Sequence, residues 1–188
     1  MIPKLTSPLA IAMLAKAKNP PADPILPAAP TPRPVYNSRT AEKFVLRISK
    51  EIKGAIEALG TLHGRSANSE IVFALKSSLE GRQEVTTDIN SRMAYLGPER
   101  AALTLQQVVR LEARAAIGTS KKVARLPDGV RDGITDMVER SVAEGGNLRS
   151  MNSWCLDALV WWINNQRESH ALLQACVELD QERAQVRG

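Results

Sequence analysis

Aromatic residues are scarce: three Trp, two Tyr and two Phe make up 4% of the 188-residue chain. A core with so few rings must be small and filled mainly by Leu, Ile, Val and Ala. Histidine is scarcer still. His63 and His170 lie far apart on predicted helices, so each reads as an ordinary surface residue. Only two cysteines occur, Cys155 and Cys176, both in apolar helical surroundings where a free thiol behaves as a small hydrophobe. They ask for no oxidising compartment. The chain has no Cys/His metal spacing, no phosphate-binding glycine loop and no nucleophile motif, which argues against an enzyme and calls for no cofactor or metal. No apolar run reaches the roughly 20 residues of a membrane span. Residues 9–15 are apolar, but Lys16, Lys18 and a Pro-rich stretch follow at once, so no cleaved signal is expected.

Basic charge is present and unevenly placed. The net charge is +5 and the pI about 9.5, compatible with a polyanionic partner but not diagnostic of one. Residues 1–40 hold Lys4, Lys16, Lys18, Arg33 and Arg39 against Asp23 alone, leaving the remainder nearly neutral. Residues 19–34 are dominated by Pro and Ala and read as a stiff extended linker, while residues 5–18 can form a short helix on contact with a partner. Residues 1–40 are therefore expected to be a basic, disordered arm.

Order is expected from Ala41. In residues 43–48, Phe44, Leu46 and Ile48 alternate with Lys43, Val45 and Arg47, the period of a half-buried strand. Ser49 is placed to cap a helix with Ile52, Ile56 and Leu59 on one face. Gly64 suits its end, and Ser66 suits the cap of a second helix carrying Ile71, Leu75 and Leu79. One strand and two short helices cannot bury their apolar faces alone, and a lone strand leaves its backbone groups unpaired.

The same chain supplies a candidate partner. Lys121-x-Val123-x-Arg125 repeats Lys43-x-Val45-x-Arg47, and Arg149-Ser150-Met151-Asn152-Ser153 repeats Arg65-Ser66-Ala67-Asn68-Ser69. The offsets are 78 and 84, so the later copy has six extra residues near its inter-helix loop. Two matches in the same order argue for an internal repeat. Pro127 sits between strand and helix; Val130, Ile134, Met137 and Val142 form the next stripe; Gly145-Gly146 breaks it. Ser150 can cap a last helix bearing Cys155, Leu159 and Ile163.

These residues resemble the Arc and Mnt repressor family of ribbon–helix–helix proteins. The likeness is carried by Phe44-x-Leu46-Arg47 and by Gly64-Arg65-Ser66-x-Asn68-Ser69-Glu70-Ile71, and it runs from about Glu42 to Leu79. The second unit is more divergent, with Lys122 and Ala124 in the places of Phe44 and Leu46 and Trp154 in that of Glu70. The resemblance implies two units pairing their strands into an antiparallel ribbon that enters the major groove of double-stranded DNA. Lys43, Val45, Arg47, Lys121, Val123 and Arg125 would then contact bases, and Ser66, Ala67, Asn68, Ser150, Met151 and Asn152 would contact phosphate. Arg and Lys suit guanine edges and Val suits a thymine methyl, which supports the assignment on chemical grounds. Helix N-termini suit phosphate. An Arg65–Glu70 pair is implied, partly buried, but the Arg expected one turn on is Ala74, and Arg149 has no matching acid. A reduced or absent ionic network is therefore expected.

The expected fold is mainly α with short β-strands, as two β-α-α units at residues 41–81 and 120–167. Residues 82–119 form a linker with a helix over 98–116, and residues 168–188 extend the last helix. Pairing within one chain is favoured because linkage raises effective concentration. The linker helix, the surface of Trp154, Trp161 and Trp162, or the C-terminal helix could support a homo-oligomer. A cytoplasmic, bacterial or phage-encoded transcriptional repressor is the leading expectation. Alternatives are a plasmid transfer or partition accessory protein of the TraY type and an antitoxin-type interaction protein.

Overall fold

A computed structural model of the chain describes residues 41–112, 120–148 and 150–186. The basic arm, residues 113–116 of the expected linker helix, and Arg149 lie outside the described residues. In chain order the elements are β1 (Glu42–Ile48), α1 (Lys50–Leu62), α2 (Ala67–Leu79), α3 (Gln83–Leu96), α4 (Pro98–Gln106), β2 (Ser120–Leu126), α5 (Val130–Ala143) and α6 (Met151–Val186).

The strands pair antiparallel within the chain, with Val45 opposite Val123 at the centre. Period-two alternation decides which face is buried. Leu46, Ile48, Ala124 and Leu126 are fully buried under the helices, while residues 43, 45, 47, 121, 123 and 125 are exposed. Ser49 Oγ accepts from the Ile52 amide at 3.1 Å and starts α1. The helix ends with the Gly64 amide donating to Thr61 O and the Arg65 amide donating to Gly60 O, 3.1 and 2.7 Å. This is the two-bond ending that a left-handed residue permits, and Gly64 has φ 65°. α5 ends in the same way through Gly145 and Gly146, bonded to Val142 O and Ser141 O.

Ile52, Ile56, Ile71, Leu75, Ile134, Cys155, Leu159 and Ile163 meet in one core beneath the ribbon. Val142 is exposed instead, because α5 leaves the core after Ile134, Met137 and Val138. Trp154 and Trp162 are buried in this core. Trp161 is partly buried against it, under the Arg82 guanidinium at 4.8 Å from the ring centre.

The linker departs from expectation. Two helices occupy it, α3 and α4, separated by Gly97 at φ 81°. The α3 stripe of Val85, Ile89, Met93 and Leu96 packs on the second half of α6, where Leu172 and Ala175 complete a second core. α4 stops at Gln106 rather than continuing to 116. Beyond it the Asn164 side chain bonds both the amide and the carbonyl of Leu111, 2.8 and 3.0 Å, and Arg167 donates to Val109 O. Those bonds hold the backbone in a non-helical path and bury Leu111. Among the described residues, no helix is long and apolar enough to cross a membrane.

The Gly64 conformation yields a direct test. Gly64→Ala meets no steric neighbour yet forces a side chain into the left-handed region, costing about 1–2 kcal/mol. Urea unfolding should show that loss; unchanged stability would mean that the turn does not depend on glycine.

Candidate nucleic-acid interface

The exposed face of the ribbon carries Lys43, Val45 and Arg47 from β1 and Lys121, Val123 and Arg125 from β2. The register sets Lys43 opposite Arg125 and Arg47 opposite Lys121. Like charges directly opposite on a sheet destabilise it. The repulsion is close here, because the amides and carbonyls of Arg47 and Arg125 are bonded away from the ribbon. These are therefore the non-hydrogen-bonded pairs, whose Cα atoms approach to about 4.5 Å. None of the four cations forms a salt bridge among the described residues. Lys122 and Glu42, on the opposite side of the pleat, do find partners in Glu57 and Arg131. The open face thus concentrates uncompensated positive charge around two half-exposed valines.

Asn68 and Asn152 hold this face to the helices. Asn152 Oδ1 accepts from the Arg47 amide at 2.8 Å while its Nδ2 donates to Arg47 O at 3.4 Å. Asn68 makes the same two bonds to Arg125, with the same lengths. Each asparagine satisfies the outer edge of the other unit's strand. Their side chains are therefore committed to the ribbon, and what they offer a phosphate is backbone. At α2, Ser66 Oγ accepts from the Ser69 amide at 3.1 Å, and the first-turn amides of Ala67 and Asn68 have no intrahelical acceptor. At α6, Ser150 Oγ accepts from the Ser153 amide at the same distance, leaving Met151 and Asn152 in the equivalent place. All twelve sequence-predicted residues thus fall on the ribbon face or on the two helix starts bonded to it.

Glu70, one turn into α2, is fully buried. Its Oε1 accepts from Trp162 Nε1 at 2.8 Å and lies 3.0 Å from His63 Nδ1. Arg65 Nη1 is 3.8 Å from Oε2, too far for a hydrogen bond, and stacks its guanidinium over Phe73. The ionic pair is thus weak, as expected, but the carboxylate has gained an indole and an imidazole in place of the missing arginine. The expectation that His63 and His170 are unrelated surface residues is overturned. Their ring centres lie 5.6 Å apart, because the end of α1 is packed against α6. Burial, and then the charges of His63 and Arg92, hold His170 below its ordinary value. No pattern within either segment signalled this cluster, since Glu70 and Trp162 are 92 positions apart and His63 and His170 still further.

The ribbon with two helices per strand defines a ribbon–helix–helix architecture. Residues 38–87 match the family model of the Arc-like DNA binding domain, a span covering β1, α1, α2 and the start of α3. The transcription factor AmrZ of Pseudomonas ogarae is 34% identical over 64 residues, which are 34% of this chain. The chain spans 59% of that relative's length. No solved structure matches significantly.

Two predictions concern this surface. Asn68→Ala and Asn152→Ala each remove two hydrogen bonds, and at roughly 0.5–1.5 kcal/mol per bond each should destabilise by about 1–3 kcal/mol. Denaturant titration should give similar losses; a loss in one variant alone would show that the two clamps are not equivalent. The second concerns pH. The unfolded chain binds a proton at His170 that the folded chain resists, so this contribution is complete above the ordinary value of about 6.5 and declines below it. His170→Gln should therefore reduce the stability lost between pH 7.5 and 5.5, and an unchanged loss would contradict the assignment.

Proposed function

We propose that this protein is a sequence-specific double-stranded DNA-binding transcription regulator, acting as a repressor, that lays its β-ribbon in the major groove. The observation that carries this reading is the exposed ribbon face, with two cross-strand pairs of like cations and two valines. An anionic groove relieves the repulsion between those cations, and base edges offer what they recognise. Arg47 and Arg125 can each donate two bonds to a guanine, Lys43 and Lys121 one, and Val45 and Val123 can pack on thymine methyls. The amides at the starts of α2 and α6 would hold flanking phosphates, with Ser66 and Ser150 at their caps.

The Arc-like match and the likeness to the transcription factor AmrZ support DNA binding and regulation. The residue correspondence between the two β-α-α segments, the matching Gly64 and Gly145 turns and the paired asparagine clamps support a duplicated unit. The basic arm at residues 1–40 would add non-specific attraction to the backbone. α3, α4 and the second half of α6 would serve assembly between copies, with Leu173 and Val177 exposed on α6. Such a protein would work in the cytoplasm.

Selection of bound sites from a random duplex pool should enrich a defined motif. Arg47→Ala should weaken binding to that motif by about 1–3 kcal/mol while leaving folding intact. Equal affinity of the unaltered protein for the selected and random duplexes would remove the proposal.

A further inference from the structure

We infer that His63 and His170 form a binding site for a divalent transition-metal ion of the zinc, nickel and copper class, which ties the end of α1 to the middle of α6. Such a site is independent of DNA reading and lies in the helical body of the protein.

The chain has two histidines in 188 residues, 107 positions apart, and the fold brings both together. Their ring centres lie 5.6 Å apart, with the planes tilted by 55°. With metal–nitrogen bonds of about 2.0–2.1 Å, two imidazoles on one tetrahedral ion hold their ring centres about 5 Å apart. The observed separation is within a small side-chain adjustment of that. Both rings are partly exposed, so an ion can reach them. Both also stand on fixed backbone: the His63 amide closes α1 on Leu59 O at 2.9 Å, and His170 lies well inside α6. Separate helices supply the two ligands, which is why no spacing in the sequence marks them.

The surroundings of His63 are those of a metal ligand. Its Nδ1 lies 3.0 Å from Glu70 Oε1. A carboxylate can only accept, so Nδ1 carries the hydrogen and Nε2 keeps its lone pair for an ion. Glu70 is itself oriented by the Trp162 indole, which donates to the same oxygen at 2.8 Å. A ligating histidine ordinarily gives its other ring N–H to a carboxylate, which fixes the ring and makes it more basic. The chain from Trp162 through Glu70 to His63 is that arrangement, and it gives a fully buried acid a second purpose. Its negative charge also favours a cation nearby. On the His170 side the competing charge of Arg92 is offset by Asp88 at 2.9 Å. No group of three or more His, Cys, Asp or Glu ligands occurs among the described residues. Two imidazoles are therefore the protein's contribution, with water completing the shell. Nitrogen ligands select zinc, nickel and copper over magnesium and calcium, which seek oxygen.

Calorimetric titration of the full chain with Zn2+ should show one site per chain, for which Mg2+ and Ca2+ do not compete. His63→Gln and His170→Gln should each abolish that site, while Cys176→Ser should leave it intact. Glu70→Gln keeps an acceptor for Trp162 and should weaken binding by about 10- to 100-fold. The two ligands meet only in the folded chain, so Zn2+ should raise the unfolding midpoint of the unaltered protein and of neither histidine variant. Electron paramagnetic resonance of the unaltered protein loaded with Cu2+ should show two imidazole nitrogens, a readout that needs no variant. Absence of Zn2+ binding, binding that survives loss of either histidine, or a copper spectrum without two imidazoles would overturn the inference. Unchanged affinity in Glu70→Gln would overturn the positioning role given to the carboxylate.

Discussion

A seven-residue strand has backbone donors and acceptors along both edges, and each strand here has a single neighbouring strand. β1 and β2 satisfy their inner edges with one another, and each takes part of its outer edge to an asparagine at the start of a distant helix. Those bonds do more than hold the ribbon. They fix the distance between the exposed side chains and the helix starts, so both parts of the proposed DNA surface are set by the same atoms. The pleat then assigns everything else. Leu46, Ile48, Ala124 and Leu126 go inward and roof the helices, which forces the cationic positions outward.

Much of this was legible in the sequence, because it depends on short-range pattern. The alternation at 43–48, the caps at Ser49 and Ser66, and the left-handed turn at Gly64 each follow from neighbouring residues. The six ribbon residues could be placed because strand period alone decides their face. Repetition of Lys-x-Val-x-Arg supplied the partner strand, which no local rule could have chosen. What escaped was of two kinds. The α3 stripe of Val85, Ile89, Met93 and Leu96 lies in a segment expected to be linker, and only its packing on α6 shows its purpose. The end of α4 was invisible because a side chain from α6, Asn164, captures the Leu111 backbone.

The histidines were misjudged, and the partners of Glu70 missed, for a different reason. The resemblance implies a partly buried Glu70 beside Arg65, but local pattern does not supply its other partners. Here they come from the end of α1 and from α6. Burial of Glu70 is tolerated because its Oε1 accepts from the Trp162 indole and faces the His63 ring nitrogen, whereas Oε2 has no hydrogen-bond partner among the described residues. This is a costly way to fill a core. It makes sense as a device of recognition between segments, since the acid is acceptable only beside the indole that one particular helix provides.

Surface and core therefore follow opposite rules in the same pairing. On the outside the two segments are alike, residue for residue, and the likeness is unfavourable to the protein by itself because it sets cation against cation. On the inside they are unlike, and the unlikeness is what lets them fit. If only stability mattered, opposite charges across the ribbon and an apolar residue at position 70 would serve better. Retaining like charges outside suits a polyanionic surface that meets both strands equally. Placing the asymmetry inside, away from that surface, lets the two segments choose one another without altering what they present.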